Sequence, residues 1–335
     1  MPENIGIRQV AALAQVSATT VSNVLSGNRP VSDATRERVN WAIDRLGYRP
    51  NLSARNLRLR RSGLIAMAVP EIDRPYFAEL IRHVVLAARE RDYTVLIDQT
   101  SGELDAERFV LGGLHPGMVD GIIFSPLGIQ RSEYEAERGG TPLVLLGEQI
   151  TGPGVDHVGI DATAAAADAT THLLKQGRRR IAAIGHQEPA GGVGTAPLRT
   201  GGYRQALEAA GVPYDPALVV PARQYLRQDG ARAMAALLDR GERPDAVFCY
   251  TDLMALGAIH VLHERGLRVP EDVAVVGHDD IDEGRYSHPT LTTVSPDKEA
   301  IARAALDVLF DRITEGTREP RQVVIPHTLT VRGSA

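Results

Sequence analysis

The chain has 335 residues, of which 43% are hydrophobic and 24% charged, as expected for a globular protein of two or three domains. One cysteine, Cys249, excludes a disulfide framework and a cysteine-based zinc site. No apolar run reaches the roughly 18 residues of a membrane span, and the first residues lack the features of a signal peptide, so we expect a cytoplasmic protein.

The net charge of −5 is unevenly divided along the chain. Residues 1–61 contain ten arginines and four acidic residues, a net charge of +6, which leaves −11 for the remainder. A basic head on an acidic body is the asymmetry expected when only the head contacts a polyanion. A solvated basic surface is the alternative.

The head is predicted to be helical. Val10, Leu13 and Ala14 lie on one face of a first short helix, and Ser17 and Ser32 are suitable N-caps for a second and a third. Two short helices joined by a tight turn within a basic segment are typical of a helix-turn-helix, the alternative being a generic helical hairpin.

The second of these helices carries side chains suited to DNA. In a helix-turn-helix its N-terminal residues enter the major groove, where asparagine pairs with adenine and threonine or alanine contacts the thymine methyl group. Hydroxyl groups nearby bind phosphates and set the register. The candidate residues are Ser17, Ala18, Thr19, Thr20, Ser22 and Asn23.

From residue 62 onwards, apolar segments of strand length alternate with amphipathic helices, the first predicted around Phe77–Arg91. This alternation predicts parallel sheets covered on both faces, and about ten strands exceed one comfortable sheet, so we expect two α/β subdomains. The predicted strand segments are, in chain order, GLIAMAVP, YTVLID, GIIFSP, PLVLLG, HVGI, RIAAIG, AVFCY, VAVVGH, LTTVS, VVIP and TLTV.

Three elements follow one another in the head: V-S-x-x-T-V-S, V-S-x-x-T-R-x-R-V and L-G-Y-x-P-N-x-x-A-R-x-L. With them, the head resembles the DNA-binding segment and hinge of the lactose-repressor (LacI/GalR) family of bacterial transcription regulators, and the body resembles this family to its end. The resemblance implies an all-α helix-turn-helix head and an α/β body of two doubly wound subdomains, similar to periplasmic binding proteins.

The resemblance also implies a division of the chain into functional parts. We expect a DNA-binding domain at 1–50, a hinge at 51–61 and a ligand-binding and dimerisation domain at 62–335. Within the last, the N-subdomain is expected over about 62–160 and 294–325, and the C-subdomain over about 161–293 and 326–335.

Two residues of the head depart from the family pattern. Gln15 stands in the turn where the family usually has glycine, and a left-handed backbone there would cost roughly 1 kcal/mol. Asn23 stands where the family often has arginine, which argues against a guanine contact and for a different operator sequence.

The hinge is expected to fold into a helix only on specific DNA, as the resemblance implies. Leu57 would be the apolar wedge in the minor groove, with Ala54 beside it, and Arg55 would neutralise phosphates. Asn51 begins this segment. A plain basic linker is the alternative.

The resemblance implies a ligand cleft between the two lobes, near the carboxyl ends of the parallel strands. In EIDRPYFAEL, Asp73, Tyr76 and Phe77 would face this cleft, with the aromatic rings stacking on a sugar or a base; alternatively, Phe77 only anchors the following helix. Arg199 and Asp279 align with family residues that contact effectors, and an ion pair between them is the alternative. The remaining candidates are Ser125, Glu148, Thr195, Tyr225 and Thr251.

We therefore expect a sequence-specific transcriptional repressor that binds a pseudo-palindromic operator as a homodimer and responds to a small molecule, most simply a carbohydrate. A nucleobase is a second candidate effector because PYFAEL resembles the segment in purine-responsive members. However, Val193 stands where those members have a base-binding arginine.

A cytosolic sugar-binding protein or a sugar-processing enzyme is the alternative from another class. The sequence contains no convincing catalytic set, so we expect no enzymatic activity and no cofactor. His260 and His263 lack a third ligand, so we expect no metal site.

Overall fold

The computed structural model describes residues 5–26, 29–48, 61–115, 117–187, 194–316 and 318–335. The chain divides into two compact units, Met1–Ser62 and Gly63–Ala335. The first is helical and the second contains two parallel-rich sheets, which confirms the predicted all-α head and α/β body.

The head contains the three predicted helices, with α1 at Ile7–Ala14, α2 at Ala18–Ser26 and α3 at Asp33–Leu46. Ser17 caps α2 as predicted, since its Oγ accepts a hydrogen bond of 3.0 Å from the Thr20 amide. The two helices of the helix-turn-helix are thus separated by only three residues.

The turn between α1 and α2 passes through Gln15, whose φ of 54° and ψ of 47° are left-handed, as the resemblance implies. The core of the head contains Val10, Ala11 and Ala14 from α1. Leu13, predicted to lie on the buried face, is 39% exposed because the face covered by the other helices passes through positions 10, 11 and 14. Trp41, the one tryptophan of the chain, lies on α3 and is 57% exposed.

The body alternates strands and helices as the sequence predicts. Its strands are β1 (Leu64–Val69), β2 (Thr94–Gln99), β3 (Gly121–Phe124), β4 (Leu143–Leu146), β5 (His157–Gly159), β6 (Ile181–His186), β7 (Val219–Pro221), β8 (Ala246–Cys249), β9 (Ala274–His278), β10 (Thr292–Pro296), β11 (Gln322–Val324) and β12 (His327–Thr330). Its helices are α4 (Pro75–Arg89), α5 (Leu104–Leu111), α6 (Arg131–Glu137), α7 (Ala162–Lys175), α8 (Thr195–Ala209), α9 (Arg227–Asp239), α10 (Asp252–Glu264), α11 (Asp282–Tyr286) and α12 (Lys298–Glu315).

The first sheet has the order β11-β5-β4-β3-β1-β2, and all its strands are parallel. Helices α4 and α12 cover one face, while α5 and α6 cover the other. Burial on both faces explains why the central strands β1, β3 and β4 are continuously apolar rather than alternating. We call this sheet with its four helices the N-lobe.

The second sheet has the order β12-β10-β9-β8-β6-β7, and only β12 is antiparallel to its neighbour. It packs with α7, α8, α9 and α10 around a core that includes Cys249. We call this assembly the C-lobe. The edge strand β7 was not predicted, because a three-residue apolar stretch beside a proline carries no periodicity.

Two helix pairs of the C-lobe approach each other closely at glycine. A Cβ on Gly202 of α8 would lie 2.1 Å from the carbonyl oxygen of Thr163 in α7. A Cβ on Gly230 of α9 would lie 2.0 Å from the carbonyl oxygen of Met254 in α10. Gly201, the neighbour of Gly202, has nothing within 4 Å of its Cβ position.

The chain crosses between the lobes three times: after β5, after β10 and between β11 and β12. The expected subdomain boundary between 293 and 294 falls inside β10, whose residues pair entirely within the second sheet. The crossing therefore comes between Pro296, which ends β10, and Lys298, which begins α12.

Candidate functional site

The N-terminal part of α2 presents a polar surface. Val21 is fully buried in the core of the head and fixes the orientation of α2. Ser17 and Thr19 are exposed, and Ser17 Oγ lies 2.9 Å from Thr20 Oγ1. Hydroxyl groups at this end of the helix suit phosphates and base edges. The other predicted residues of this surface, Ala18, Ser22 and Asn23, are half-buried.

A cavity of about 500 Å³ lies between the N-lobe and the C-lobe, at the carboxyl ends of their parallel strands. Nine of the ten predicted effector residues line it. The N-lobe contributes Tyr76, Phe77, Ser125 and Glu148, and the C-lobe contributes Thr195, Arg199, Tyr225, Thr251 and Asp279.

A polar bridge crosses this cavity from Glu148 in the N-lobe to Thr195 and Arg199 on α8 in the C-lobe. Thr195 Oγ1 donates a hydrogen bond of 2.7 Å to Glu148 Oε2, and Arg199 Nη2 lies 3.6 Å from Glu148 Oε1. Burial raises the pKa of Glu148, but Arg199 and Thr195 together outweigh this effect, so the pKa lies below its ordinary value. Glu148 is therefore ionised at neutral pH. We call these three residues the cross-cleft bridge.

The ion-pair partner of Arg199 is thus Glu148, not Asp279, which was the alternative expected from the sequence. The guanidinium group also donates to the carbonyl oxygen of Tyr250. Its Nε has no hydrogen-bond partner among the described residues. One donor of Arg199 thus remains unused by the described residues in this arrangement of the lobes.

Asp279 lies in a strained turn that follows β9. Its φ is 119° and that of Asp280 is 48°, backbone conformations that cost about 1–3 kcal/mol each for a residue other than glycine. The Asp280 carboxylate anchors this turn, since it accepts hydrogen bonds of 2.9 Å from Ser295 and 2.6 Å from Arg332. Burial raises the pKa of Asp279 to about 7, despite nearby positive charges.

His278, predicted only as the last residue of a strand, also lines the cavity. It is buried, and its Nδ1 lies 3.1 Å from Asp279 Oδ1. Burial lowers the pKa of His278 well below 6.5, so the imidazole is neutral. Its Nε2 has no partner among the described residues. With Asp279 ionised, Nδ1 carries the proton and Nε2 is an acceptor. The feature of the sequence that could have identified His278 as a site residue is its position directly before Asp279.

Aromatic rings enter the cavity from both lobes. Tyr76 and Phe77 pack edge to face, with ring centroids 5.3 Å apart and an interplanar angle of 75°. Tyr225 lies in the opposite lobe, and its hydroxyl has no partner in the described part of the chain. Burial raises the pKa of both tyrosines, so they remain protonated donors. Rings on two sides suit a ligand that is itself a ring.

Thr251 and Asp252 support the C-lobe side of the cavity. Thr251 caps α10, and its hydroxyl donates to the carbonyl oxygen of Tyr225 at 3.3 Å. The buried Asp252 carboxylate accepts hydrogen bonds of 2.5 Å from Thr293 and 2.9 Å from the Ile281 amide. Burial raises the pKa of Asp252 to about 8. The Thr251 contact holds the loop that carries Tyr225, and the Asp252 contacts hold the loop after β9 that carries Asp279.

Comparison with known proteins matches two separate parts of the chain. The family described as bacterial regulatory proteins, lacI family, matches residues 6–51, and the periplasmic binding protein-like domain matches residues 170–335. The HTH-type transcriptional regulator CelR of Thermobifida fusca is 39% identical over 340 residues, which cover 98% of this chain and 97% of that protein. This chain belongs to the LacI family of bacterial transcription regulators.

Solved structures agree with this assignment. A complex of the transcriptional regulator CelR with cellobiose is 36% identical to this LacI-family regulator, with a TM-score of 0.74, and the match covers 99% of this chain and 100% of that one. The lac repressor dimer bound to operator is 24% identical, covers 99% of each chain and has a TM-score of 0.84. The latter likeness shows a common fold.

Asp73, the tenth predicted effector residue, does not line the cavity of this LacI-family regulator; its side chain is exposed. Helix α4 begins at Pro75, two residues before the predicted Phe77. Arg74 therefore occupies the N-cap position and lines the cavity, where it pairs with Glu71. Asp73 lies outside the helix and faces water.

Some predicted residues lie outside the described part of the chain. They include Val193, on which the comparison with purine-responsive members rests, and the hinge residues Asn51, Ala54, Arg55 and Leu57. Their roles stay predictions.

Within the described ranges, no group of three or more histidine, cysteine, aspartate or glutamate side chains is placed to hold a metal ion. Over the same ranges, no helix has the length and apolar character needed to span a bilayer.

Proposed function

We propose that this LacI-family regulator represses transcription as a homodimer on a pseudo-palindromic operator and that a neutral carbohydrate in the cleft sets its affinity for DNA. In this proposal, residues 1–50 read the operator, 51–61 form the hinge, and 62–335 dimerise and bind the effector. The cross-cleft bridge carries the proposal. Because polar groups of both lobes meet in one cavity, a ligand that bonds to the groups on both sides of this bridge changes how the lobes are held.

The chemistry of the cavity favours a polyhydroxylated ring. Asp279 and His278 offer acceptors for hydroxyl protons, whereas Arg199 Nε and the Tyr225 hydroxyl are donors still without partners among the described residues. The rings of the N-lobe suit the apolar faces of a sugar. CelR, which is 36% identical, was solved with cellobiose, so cellobiose is the first ligand to test.

The proposed mechanism is a shift between two arrangements of the lobes. A ligand that binds one arrangement more tightly increases its population, and this changes the geometry that the paired bodies impose on the two hinges. Coupling energies of this kind are typically about 1–3 kcal/mol. The protein would act in the cytoplasm on chromosomal DNA and would have no catalytic role.

The test is operator binding at several salt concentrations, with duplexes from the region upstream of the protein's own gene. We expect preference for a pseudo-palindrome, a steep decrease of affinity with salt, and a change of affinity when cellobiose or another neutral sugar is added. No preference over random duplex, with and without sugars, would contradict the proposal. A response to nucleosides alone would contradict the carbohydrate assignment.

A further inference from the structure

Glu148 already occupies the place in the cleft that a ligand carboxylate or phosphate would take. Two features of this cavity attract anions, the start of α8 and the guanidinium group of Arg199. Thr195, the first residue of α8, donates to one oxygen of Glu148, and Arg199 faces the other. The side chains of Glu148 and Arg199 are only 15% and 7% exposed, so water screens this pair weakly.

The remaining charged groups near the cross-cleft bridge do not favour the binding of a second anion. Asp279, which also lines the cavity, adds a carboxyl group whose pKa is raised by burial to about 7. His278 is neutral because burial lowers its pKa. Of the other arginines that line the cavity, Arg74 pairs with Glu71, and Arg223 is exposed at the rim, where water screens its charge.

We propose that Glu148 is a charge filter, which excludes anionic sugars such as uronates, aldonates and sugar phosphates from the cleft and restricts the effector to neutral carbohydrates. This inference rests on the proposed function and narrows its ligand class. An anionic ligand near Arg199 would place a second carboxylate or phosphate beside Glu148 in a poorly hydrated site, where like charges repel strongly. A hydroxyl group, by contrast, can donate to Glu148 or accept from Arg199 Nε without displacing the ion pair.

The experiment compares Glu148→Gln with the unchanged protein. Glutamine keeps the shape of glutamate and an oxygen that accepts from Thr195, but it removes the negative charge. Affinities are measured by calorimetry for three matched pairs: glucose and glucuronate, galactose and galacturonate, cellobiose and cellobionate. We expect the ratio of anionic to neutral affinity to increase at least tenfold in Glu148→Gln for the pair that fits the cavity.

Three further variants make the result specific. Glu148→Asp retains the charge and should still reject acidic sugars. Glu148→Ala is a second neutral replacement and should admit them. Glu90→Gln makes the same change of net charge and also releases an arginine, Arg303, but Glu90 does not line the cavity. Its affinity ratio should equal that of the unchanged protein.

The filter is wrong if Glu148→Gln and Glu148→Ala leave the ratio unchanged, or if Glu90→Gln raises it equally. Failure of the filter and failure of the proposed function give different results. Binding of a neutral sugar with an unaltered ratio contradicts only the filter. If the neutral variants gain binding of acidic sugars, the filter is supported. If at the same time the unchanged protein binds no neutral sugar, that second result contradicts the proposed function. No binding to any variant overturns both.

Discussion

Lys298 Nζ donates a hydrogen bond of 2.7 Å to Glu79 Oε2. The same ammonium group lies 2.8 Å from the carbonyl oxygen of Asp280. Glu79 belongs to α4 of the N-lobe, whereas Asp280 belongs to the C-lobe turn that also contains Asp279. The Lys298 side chain is only 7% exposed. It therefore joins the two lobes next to the turn that carries Asp279.

Lys298→Met should destabilise the body by about 1–3 kcal/mol, because it leaves a carboxylate and a carbonyl oxygen in a confined site without their donor. Denaturant unfolding followed by circular dichroism measures this loss. Lys175→Met is the matched control, since Lys175 is exposed at the end of α7 and its replacement should change stability by less than about 0.5 kcal/mol. Equal stability of the two variants would contradict the role of Lys298.

Two adjacent glycines of α8 should respond to alanine in opposite directions. Gly202→Ala forces a Cβ against the Thr163 carbonyl oxygen, so α7 and α8 must separate, at a cost of about 1–3 kcal/mol or more. Gly201→Ala meets open space and should stabilise the helix by about 0.5–1 kcal/mol. Thermal unfolding measures both, and a destabilised Gly201→Ala variant would argue against the packing described for this helix.

Asp279 should make the ligand-free protein less stable as pH rises. Burial raises the pKa of its carboxyl from 3.8 to about 7, so the folded protein favours the neutral form. The stabilising contribution is complete below about pH 4 and is lost progressively up to about pH 7. The stability of Asp279→Asn, which cannot ionise, should therefore increase relative to the unchanged protein over this range.

The measurement is denaturant unfolding of both proteins from pH 4 to pH 8. Above about pH 7 the difference should level off, because Asp279 is then ionised in the folded and unfolded states alike. A difference that stays constant from pH 4 to pH 7 would show that Asp279 is well solvated in the native protein.

Gln15→Gly should stabilise the head by about 0.5–1 kcal/mol, because glycine adopts the left-handed conformation of this turn without steric cost. Fluorescence of Trp41, the one tryptophan of the chain, reports unfolding of the head within the full-length protein. Ala12→Gly on the exposed side of α1 is the control and should destabilise the head by about 1 kcal/mol. Stabilisation by both glycines would exclude relief of strain at Gln15 as the cause.

The helices and strands of the body were largely predictable from the sequence, because most of them are long enough to display a clear apolar pattern. The first and last residues of these elements were less predictable. Proline is favoured in the first turn of a helix, so Pro75 begins α4 two residues early, and this shift moves Arg74 into the cavity and Asp73 out of it. A boundary error of two residues is enough to exchange an acid for a base at the site.

Nine of the ten predicted effector residues line the cavity, because the family resemblance aligns them with effector-facing positions and the carboxyl ends of parallel strands meet at one edge of a sheet. The partner of Arg199 was not predicted. Glu148 lies in the other lobe, so the pairing depends on how far the lobes close, which no local pattern records. His278 was missed for a different reason: a polar residue that ends an apolar strand resembles an ordinary boundary.

The three crossings between the lobes limit the movements that a ligand can cause. A single connection would allow the lobes to twist or slide independently, whereas three connections oppose torsion and translation, so we expect bending between the lobes to be the soft mode. Whatever the chemistry of the ligand, we therefore expect its effect on the body to be described by one variable, the angle between the lobes.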